Sequence, residues 1–403
     1  MGHTTSAQRR RMSGSEHLMK TYAPLDVCFD RGEGACLFDE NGTEYLDALS
    51  GIAVCGLGHA HPAVTRAIQQ QSAKLLHTSN LYCIENQQQL ADRLCDISAM
   101  HRVFFSNSGA EANEAAIKLA RLYGNQQNIE NPAIIVTDGS FHGRTLATLS
   151  ATGNRKVHAG FEPLVHGFIR APYNDLDAIR NIAQNSQNVV AILVEPIQGE
   201  GGINLPDADY LKQLRAICDQ HNWLLMLDEI QTGMGRTGRW FAFQYSDIMP
   251  DVMTLAKGLG NGVPIGACLA HGRAAELFQP GNHGSTFGGN PLTCAVASAV
   301  IDTIADKNLC QRAAQLGDSM RQAFSSQLEN VEGVRDIRGR GLMLGIELDR
   351  DCGELVNRAL QQHCLINVTA GNVVRLLPPL IFSDQQAETV VNTVSMLIKD
   401  FLN

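Results

Sequence analysis

The stretch WLLMLDEIQTGMGRTGRW at residues 223–240 places five consecutive apolar residues directly before Asp228 and Glu229, and a glycine-rich turn follows. A run that is apolar at nearly every position is typical of a strand covered on both faces in a parallel sheet. Ligands of open α/β sheets bind beyond the carboxyl ends of such strands. Asp228 is therefore predicted to stand at a strand end, where its carboxylate either caps the following turn or meets a fixed cation.

Six further runs of strand length alternate with helical patterns between about residues 100 and 270. These runs are RVFFSN, AIIVTDG, GFIRAPY, VVAILVEP, DVMTLAK and IGACLA. Helices are predicted between them at 111–123, 176–183 and 210–221. The alternation predicts an α/β fold with a mainly parallel seven-stranded sheet.

The pattern changes after residue 295, where long helical stretches around RGLMLGIEL and NVVRLLPPL predict a smaller α+β domain. Short strands are predicted in ACLFDENGTEYLDA near the N terminus. We expect a flexible tail at 1–20, an N-terminal segment at 21–57 that packs with the small domain, a large ligand-binding α/β domain at 58–295, and the small domain at 296–403.

Composition excludes several function classes. The 403 residues carry a net charge of −9, which disfavours binding to nucleic-acid phosphates and anionic membranes. No apolar run approaches the ~18 residues of a membrane span. The eleven cysteines show no C-x-x-C spacing, which indicates reduced thiols. We expect a cytoplasmic protein that binds neither nucleic acid nor membrane.

The segment SNSGAEANEAAIKLAR at 106–121 ends a strand and enters an alanine-rich helix. The free N–H groups and the positive dipole end of such a helix start suit a phosphate group. The alternative is that Ser108 and Glu111 form a capping box, which many helices use merely to begin.

Two further segments carry reactive or cationic side chains at strand ends. Lys257 follows an apolar run; it is either a solvated rim residue or an amine in a partly desolvated pocket, where its pKa falls and it can form a Schiff base. The turn FHGRT at 141–145 offers Phe141, His142 and Arg144. Phe141 could stack on a planar ligand and Arg144 could grip a carboxylate, or both could be ordinary turn residues.

Together these groups comprise a phosphate-binding helix start, an aromatic ring that can stack on a ligand, a carboxylic acid and an amine. They match the requirements of pyridoxal 5'-phosphate (PLP), whose ring withdraws electrons while the protein supplies a Schiff-base lysine and an acidic partner for the ring nitrogen. The sequence therefore predicts PLP as the cofactor.

Eight ordered motifs, from about Tyr22 to the C terminus, resemble the class III aminotransferases of PLP fold type I, and within them the acetylornithine and succinylornithine branch. The motifs are GLGHAHP (56–62), SNSGAEANEAAIKLAR (106–121), FHGRT (141–145), VEPIQGEGG (194–202), LDEIQTGMGRTG (227–238), AKGLGNGVPIGA (256–267), GSTFGGNPL (284–292) and RGRGLMLGIEL (338–348).

The resemblance implies that Lys257 carries the cofactor, that Asp228 pairs with the ring nitrogen and that Gln231 lies near the ring hydroxyl. The remaining contacts that it implies within one subunit are Ser108, Gly109 and Ala110 at the phosphate and Phe141 against the ring. The family commonly has threonine where Ala110 stands, so a side-chain contact is in doubt there but a backbone contact is not.

Thr286 of GSTFGGN is implied to reach the phosphate bound by a partner subunit. The resemblance therefore implies a homodimer with active sites at the subunit interface. No metal is expected, because His59 and His61 of GLGHAHP recur in the family without one.

The expected substrate-binding residues are Arg144, Glu200, Ser285 and Arg375. Arg375 lies among apolar neighbours in NVVRLLPPL, so it needs a partner or a route to water. By resemblance that partner is Glu200 whenever no α-carboxylate occupies the site. Ornithine aminotransferases carry a tyrosine where this chain has Ile52, and the loss of that hydroxyl favours an N-acylated ornithine.

The expected reaction moves the δ-amino group of N2-acetylornithine to 2-oxoglutarate, giving N-acetylglutamate 5-semialdehyde and glutamate, in arginine biosynthesis. Succinylornithine in arginine catabolism, 4-aminobutyrate and ornithine stay open as donors. A nucleotide-binding protein is disfavoured because the sequence lacks G-x-x-x-x-G-K-[ST] and a strand-linked G-x-G-x-x-G. The intact Lys257 and Asp228 argue against a catalytically idle homologue.

Overall fold

The computed structural model describes residues 17–403. Its strands are β1 Phe29–Glu33, β2 Cys36–Asp39, β3 Glu44–Asp47, β4 Arg102–Ser106, β5 Ala133–Thr137, β6 Phe168–Ala171, β7 Val189–Val194, β8 Leu224–Asp228, β9 Val252–Leu255, β10 Gly266–Ala270, β11 Val334–Arg340, β12 Met343–Leu348, β13 Cys364–Leu365, β14 Asn367–Thr369 and β15 Val373–Leu376.

The right-handed α-helices span Pro62–Ser72, Glu85–Ser98, Gly109–Gln126, Leu146–Ala151, Arg155–His158, Leu176–Asn185, Tyr210–His221, Pro291–Asp306, Leu309–Gln327, Leu355–Gln361 and Asp384–Leu402. Short 3-10 turns lie at Ala242–Tyr245, Lys257–Leu259 and Gly272–Glu276. A four-residue turn at Ser50–Ala53 has left-handed backbone angles.

The central sheet has seven strands in the order β4-β10-β9-β8-β7-β5-β6. Only β10 runs against its neighbours, and the other six strands share one direction. Five of the strands, β5 and β7 to β10, are buried at every residue, because helices cover both faces of the sheet. All seven predicted strands are present, and the predicted α/β fold is confirmed.

The predicted helices are present with small changes at their ends. The helix at Tyr210–His221 has the predicted bounds, and the other two extend to Gly109–Gln126 and Leu176–Asn185. Asp175 begins the last of these by accepting a hydrogen bond from the Ala178 N–H at 2.9 Å.

Two smaller sheets flank the central one. One is antiparallel, with the order β11-β12-β15-β14, and the other has the order β1-β2-β3-β13. The parallel pairing of β13 with β3 joins the N-terminal segment to the C-terminal part of the chain. The division at residues 21–57, 58–295 and 296–403 stays a prediction, and most of the expected tail at 1–20 lies outside the described residues.

Within residues 17–403, no helix combines the length and the apolar character that crossing a membrane requires.

The helix Leu309–Gln327 approaches the turn between β11 and β12 very closely at Gly317. A Cβ atom at this position would lie 1.9 Å from the carbonyl oxygen of Gly341. The Gly341 backbone has a φ of +55°, so it is itself restricted in how it can move away. The packing of this helix therefore requires a residue without a side chain at position 317.

Gly317→Ala is expected to lower the free energy of unfolding by about 1–3 kcal/mol or more, because overpacking outweighs the gain in helix propensity. The measurement is urea unfolding followed by circular dichroism. Gly353→Ala is the matched control: no atom lies within 4 Å of its added Cβ, and the expected change is within about 0.5 kcal/mol. Equal effects of the two substitutions would contradict the packing argument.

Candidate active site

A cavity of about 380 Å3 lies at the carboxyl edge of the central sheet. The turns after β4, β5, β7, β8 and β9 each contribute to its wall. The residues lining it that the sequence predicted are Ser108, Gly109, Ala110, Phe141, Arg144, Glu200, Asp228, Gln231 and Lys257. The structure therefore brings most of the predicted site residues together.

Asp228 is the last residue of β8, and its carboxylate is almost completely buried. Its Oδ2 atom accepts a hydrogen bond from Asn113 Nδ2 at 2.8 Å and lies 2.8 Å from Nδ1 of His142. Its Oδ1 atom accepts the backbone N–H of Ile230 at 3.1 Å. The hydroxyl of Thr254 donates to Asn113 Oδ1 at 2.8 Å and fixes the orientation of that amide. Asp228 therefore both accepts from the following turn and faces a cavity.

Asn113 and His142 are two residues of the site that the sequence patterns do not single out, apart from the place of His142 in the FHGRT turn. Both are buried, and the Nε2 atom of His142 has no hydrogen-bond partner among residues 17–403. The available signal was an amide on the buried face of an alanine-rich helix, where a polar side chain needs a partner.

The helix Gly109–Gln126 begins at the cavity wall. Ser108 accepts the Glu111 N–H at 3.2 Å, so the capping interaction considered for this segment is present. Capping leaves other first-turn N–H groups without partners inside the helix, so the same helix start can still attract an anion. Gly109 also packs so closely on Ile230 that a Cβ would lie 2.7 Å from its Cδ1 atom.

Lys257 follows β9 and has a backbone φ of +38°, a left-handed conformation that is rare for residues with a side chain. Its side chain lines the cavity. Burial and the nearby Arg375 lower the pKa of the Lys257 amine, against the opposing charges of Glu200, Asp228 and Glu195. A lowered pKa increases the uncharged, nucleophilic fraction of the amine at neutral pH.

Arg375 is fully buried in β15, and its Nη1 atom lies 2.7 Å from Oε1 of Glu200. Burial alone would raise the pKa of Glu200, but the charge of Arg375 holds it below its ordinary value. The alternative of an arginine head reaching water is therefore wrong. Arg144 is exposed at the cavity wall, with its guanidinium 5.7 Å from the centre of the Phe141 ring.

Three predicted residues do not line the cavity of the single chain. Arg375 lies beneath the lining and is bound to Glu200, which does line it. Thr286 is exposed, and Ser285 accepts hydrogen bonds from Asn107 Nδ2 at 3.2 Å and from the Gly288 N–H at 2.9 Å. Ser285 thus reaches the cavity only through Asn107, which lines it.

Glu195 is a further buried carboxyl group that the sequence reasoning left without a role. It lines the cavity and accepts the N–H groups of Phe141 at 3.1 Å and Gly199 at 3.2 Å. Burial raises the pKa of Glu195 and the charge of Asp228 adds to the effect, although His142 acts in the opposite direction.

His59 and His61 have structural partners. His59 Nε2 lies 2.8 Å from Oδ2 of Asp47, and His61 Nδ1 accepts the Ala63 N–H at a helix start. In the described part of the chain, no three His, Cys, Asp or Glu side chains are grouped so that they could hold a metal ion.

Comparison with known proteins identifies the family. The model of the class III aminotransferases matches residues 18–398. The chain belongs to this family. Its cofactor is therefore PLP, and it is a transaminase.

Similar proteins cover nearly the whole chain. An acetylornithine aminotransferase of Nitrosomonas europaea is 59% identical over 386 residues, which are 96% of this chain and 98% of that protein. Among solved structures, the ornithine aminotransferase of Toxoplasma gondii has a TM-score of 0.93 at 34% identity, covering 96% of this chain and 93% of that one. The acetylornithine aminotransferase of Elizabethkingia anophelis has a TM-score of 0.85 at 34% identity, covering 96% and 97%.

The residues of the cavity fit PLP. The helix start at Gly109 suits its phosphate, the Phe141 ring suits its planar ring, and Asp228 suits a protonated ring nitrogen. The Oε1 atom of Gln231 is buried and has no hydrogen-bond partner in the described part of the chain, so it can accept a hydrogen bond from a bound group.

The Glu229 carboxyl group supports the turn that follows Asp228. It accepts the Ala242 N–H at 3.0 Å, the Phe243 N–H at 2.8 Å and the hydroxyl of Thr232. Burial nevertheless raises its pKa from 4.5 to about 7. The pKa of Glu229 is higher in the folded state than in the unfolded state, so folding favours the neutral carboxyl group. The contribution of this group to the free energy of unfolding is therefore greatest below pH 4.5 and is lost as the pH rises through 7.

The stability of the wild-type chain relative to Glu229→Gln is therefore expected to fall between pH 5 and pH 8, by up to roughly 3 kcal/mol. Urea unfolding of both proteins at the two pH values provides the measurement. The substitution also replaces an acceptor by a donor, but this cost does not depend on pH. A difference in stability that is the same at both pH values would show that Glu229 does not titrate in this range.

Proposed function

We propose that this transaminase moves the δ-amino group of N2-acetylornithine to 2-oxoglutarate, in arginine biosynthesis. The observation that carries the proposal is the fully buried Arg375, which pairs with Glu200 at the wall of the cavity that contains Lys257. Such a pair offers a carboxylate site that can be opened for one substrate and closed for the other. The names of the similar proteins support the acetylated donor.

PLP supplies an electron-withdrawing ring that stabilises negative charge on the substrate carbon. Lys257 would bind it covalently, and the buried Asp228 would keep its ring nitrogen protonated. Ser108, Gly109 and Ala110 would hold the phosphate. Phe141 would stack on the ring, and Gln231 would bind the ring hydroxyl.

Lys257 also moves the proton of the reaction. Once the substrate amine has displaced it from the cofactor, the Lys257 amine would take the proton from the substrate carbon and, as a general acid, deliver it to the cofactor carbon C4′. The lowered pKa of the Lys257 amine supports this role, because a general base must be uncharged before it can accept a proton. Asn113 and His142 orient the Asp228 carboxylate during these steps.

The two arginines bind the substrate carboxylates. Arg375 binds the α-carboxylate of 2-oxoglutarate, and Glu200 then leaves its position at Nη1. With acetylornithine bound, Glu200 returns and neutralises Arg375, so that no buried charge is left unpaired. Arg144, at the cavity wall, binds the other carboxylate of 2-oxoglutarate and the α-carboxylate of acetylornithine. Ser285 assists from behind Asn107.

The donor is distinguished from free ornithine near Ile52. This half-buried residue lies two positions before Val54, which lines the cavity. An apolar side chain gives no hydrogen bond to a free α-amino group, so an acylated nitrogen fits better.

We also propose a cytoplasmic homodimer. Leu81, Tyr82 and Phe287 are 86%, 69% and 60% exposed, which is typical of an uncovered interface. The Asn80 side chain donates to the carbonyl oxygens of Ser285 and Gly288, so the segments 75–82 and 284–290 form one surface. A second copy seated on this surface would bring Thr286 to the phosphate of its partner. The free cysteines support a reducing compartment.

The visible absorption of the PLP-loaded protein is expected to bleach on addition of N2-acetylornithine alone and to return with 2-oxoglutarate. Ornithine, succinylornithine and 4-aminobutyrate are compared at equal concentration. Lys257→Ala is the control, with an expected loss of turnover of several orders of magnitude because it removes both the attachment and the base. A faster response to another donor would refute N2-acetylornithine as the preferred substrate. Near-normal turnover by Lys257→Ala would refute the catalytic role of Lys257.

The double substitution Leu81→Glu with Phe287→Glu is expected to convert a dimer into monomers and to weaken retention of PLP, because charges would be buried at the interface. Sedimentation velocity gives the assembly state and dialysis the retained cofactor. Phe161→Glu, at an exposed phenylalanine outside the two segments, is the control. A wild-type chain that sediments as a monomer, or a variant that stays dimeric, would refute the assigned surface.

A further inference from the structure

The three-residue strand β14 contacts both members of the buried ion pair. It pairs antiparallel with β15, and Asn367 stands opposite Arg375 in the register. The Nε atom of Arg375 donates to Oδ1 of Asn367 at 2.9 Å. Two residues along, the hydroxyl of Thr369 donates to the backbone carbonyl oxygen of Glu200 at 2.5 Å. One short edge strand therefore holds the arginine and the loop that carries its acidic partner.

The nitrogen atoms of the Arg375 guanidinium have different partners. Nε donates to the neutral amide of Asn367 and Nη1 donates to the carboxylate of Glu200, whereas the buried Nη2 has no hydrogen-bond partner among the residues that the structure describes. Because the guanidinium group is planar, fixing Nε restricts the plane in which Nη1 and Nη2 lie. These two nitrogens form the fork that binds a carboxylate with two hydrogen bonds.

The two partners of Arg375 also differ in how freely they can move. The Glu200 side chain is 35% exposed, so its carboxylate can turn towards the cavity while Thr369 keeps its backbone in place. Asn367 belongs to a paired strand, and its side chain can stay on Nε when Glu200 leaves. A neutral partner at this position orients the arginine without cancelling the charge that a substrate carboxylate needs.

We infer that Asn367 is a positioning residue that holds Arg375 ready for the carboxylate of the 2-oxo acid, while Thr369 fixes the backbone from which the Glu200 side chain turns. The inference rests on the proposed function, since it concerns the half of the reaction in which Glu200 is displaced. Asn367 acts through Arg375 and touches neither the cofactor nor the reacting atoms.

The test separates the two half-reactions by single-turnover absorption measurements. The PLP-loaded protein is used for the amine donor, and the same protein in its aminated, pyridoxamine phosphate form is used for 2-oxoglutarate. For Asn367→Ala, the apparent dissociation constant of 2-oxoglutarate is expected to rise about tenfold or more, because a hydrogen bond to a buried charge is lost. The reaction with the amine donor is expected to stay within about twofold, because Arg375 is then neutralised by Glu200. Asn367→Asp is expected to weaken the binding of 2-oxoglutarate further, because a fixed negative charge beside Arg375 competes with the substrate carboxylate.

Asn372→Ala is the matched control on the same hairpin. Its side-chain amide donates to the carbonyl oxygen of Leu348 at 2.8 Å, whereas the described hydrogen bonds of the Arg375 side chain go to Asn367 and Glu200. Damage to the hairpin would appear in both alanine variants, whereas loss of positioning appears only at Asn367. Similar weakening by the two variants, or equal slowing of both half-reactions, would overturn the inference.

A second readout does not depend on turnover. Binding of glutarate, which has two carboxylates and cannot react, is measured by calorimetry on the PLP-loaded wild type and on the variants. The expected order of affinity is wild type, Asn367→Ala, then Asn367→Asp. Unchanged binding in the variants, or no binding to the wild type, would overturn the inference. A failed acetylornithine reaction with glutarate affinities in the expected order would refute only the proposed donor.

Discussion

The buried carboxylate of Asp228 is the constraint on which the arrangement of the cavity depends. A charged group at the end of a strand that is buried along its whole length is costly unless donors replace the lost water. The donors come from three separate places, namely the helix that carries Asn113, the turn that carries His142 and the backbone at Ile230. Satisfying one carboxylate therefore fixes the relative positions of the start of the helix Gly109–Gln126, the Phe141 ring and the turn that contains Gln231.

The same argument explains which parts could be predicted from the sequence. Five strands of the central sheet were recognisable because burial on both faces requires nearly continuous apolar runs, and the two edge strands β4 and β6 followed from their shorter apolar runs in the same alternation with helices. The site residues at the ends of these runs were recognisable because the topology gathers strand ends at one edge. Asn113 and His142 gave no comparable signal. Their partner lies 115 and 86 residues away in the chain, and only the folded structure brings them to it.

The buried glutamates were missed for a different physical reason. Glutamate is ordinarily exposed, and nothing in the letters EP or DE shows that backbone N–H groups will surround the side chain. Glu195 binds the N–H groups of Phe141 and Gly199, so it ties the aromatic turn to the loop that leads to Glu200. Glu229 likewise ties the turn after Asp228, through Thr232, to the backbone at Ala242 and Phe243. Burial raises the pKa of both carboxyl groups, and this shift exists only in the folded state.

The turn at Ser50–Ala53 has a strained backbone, and it directly precedes Val54 in the cavity wall. All four residues have positive φ angles, including the β-branched Ile52 at +64°, and each such residue other than glycine costs roughly 1–2 kcal/mol. Hydrogen bonds offset this cost, because Asp47 accepts the N–H of Ser50 at 2.7 Å and Ser50 Oγ donates to the carbonyl oxygen of Leu377 at 2.7 Å.

Leu377 directly follows the strand that carries Arg375, and its N–H donates to the carbonyl oxygen of Ala48 at 2.7 Å. The strained turn and the buried arginine are thus parts of one unit. Val54, which follows the turn, lines the same cavity as Lys257 and Asp228. The position of Val54 therefore depends on the same hydrogen bonds that hold the end of β15, and a change at Ile52 is expected to alter both the cavity wall and the backbone next to Arg375.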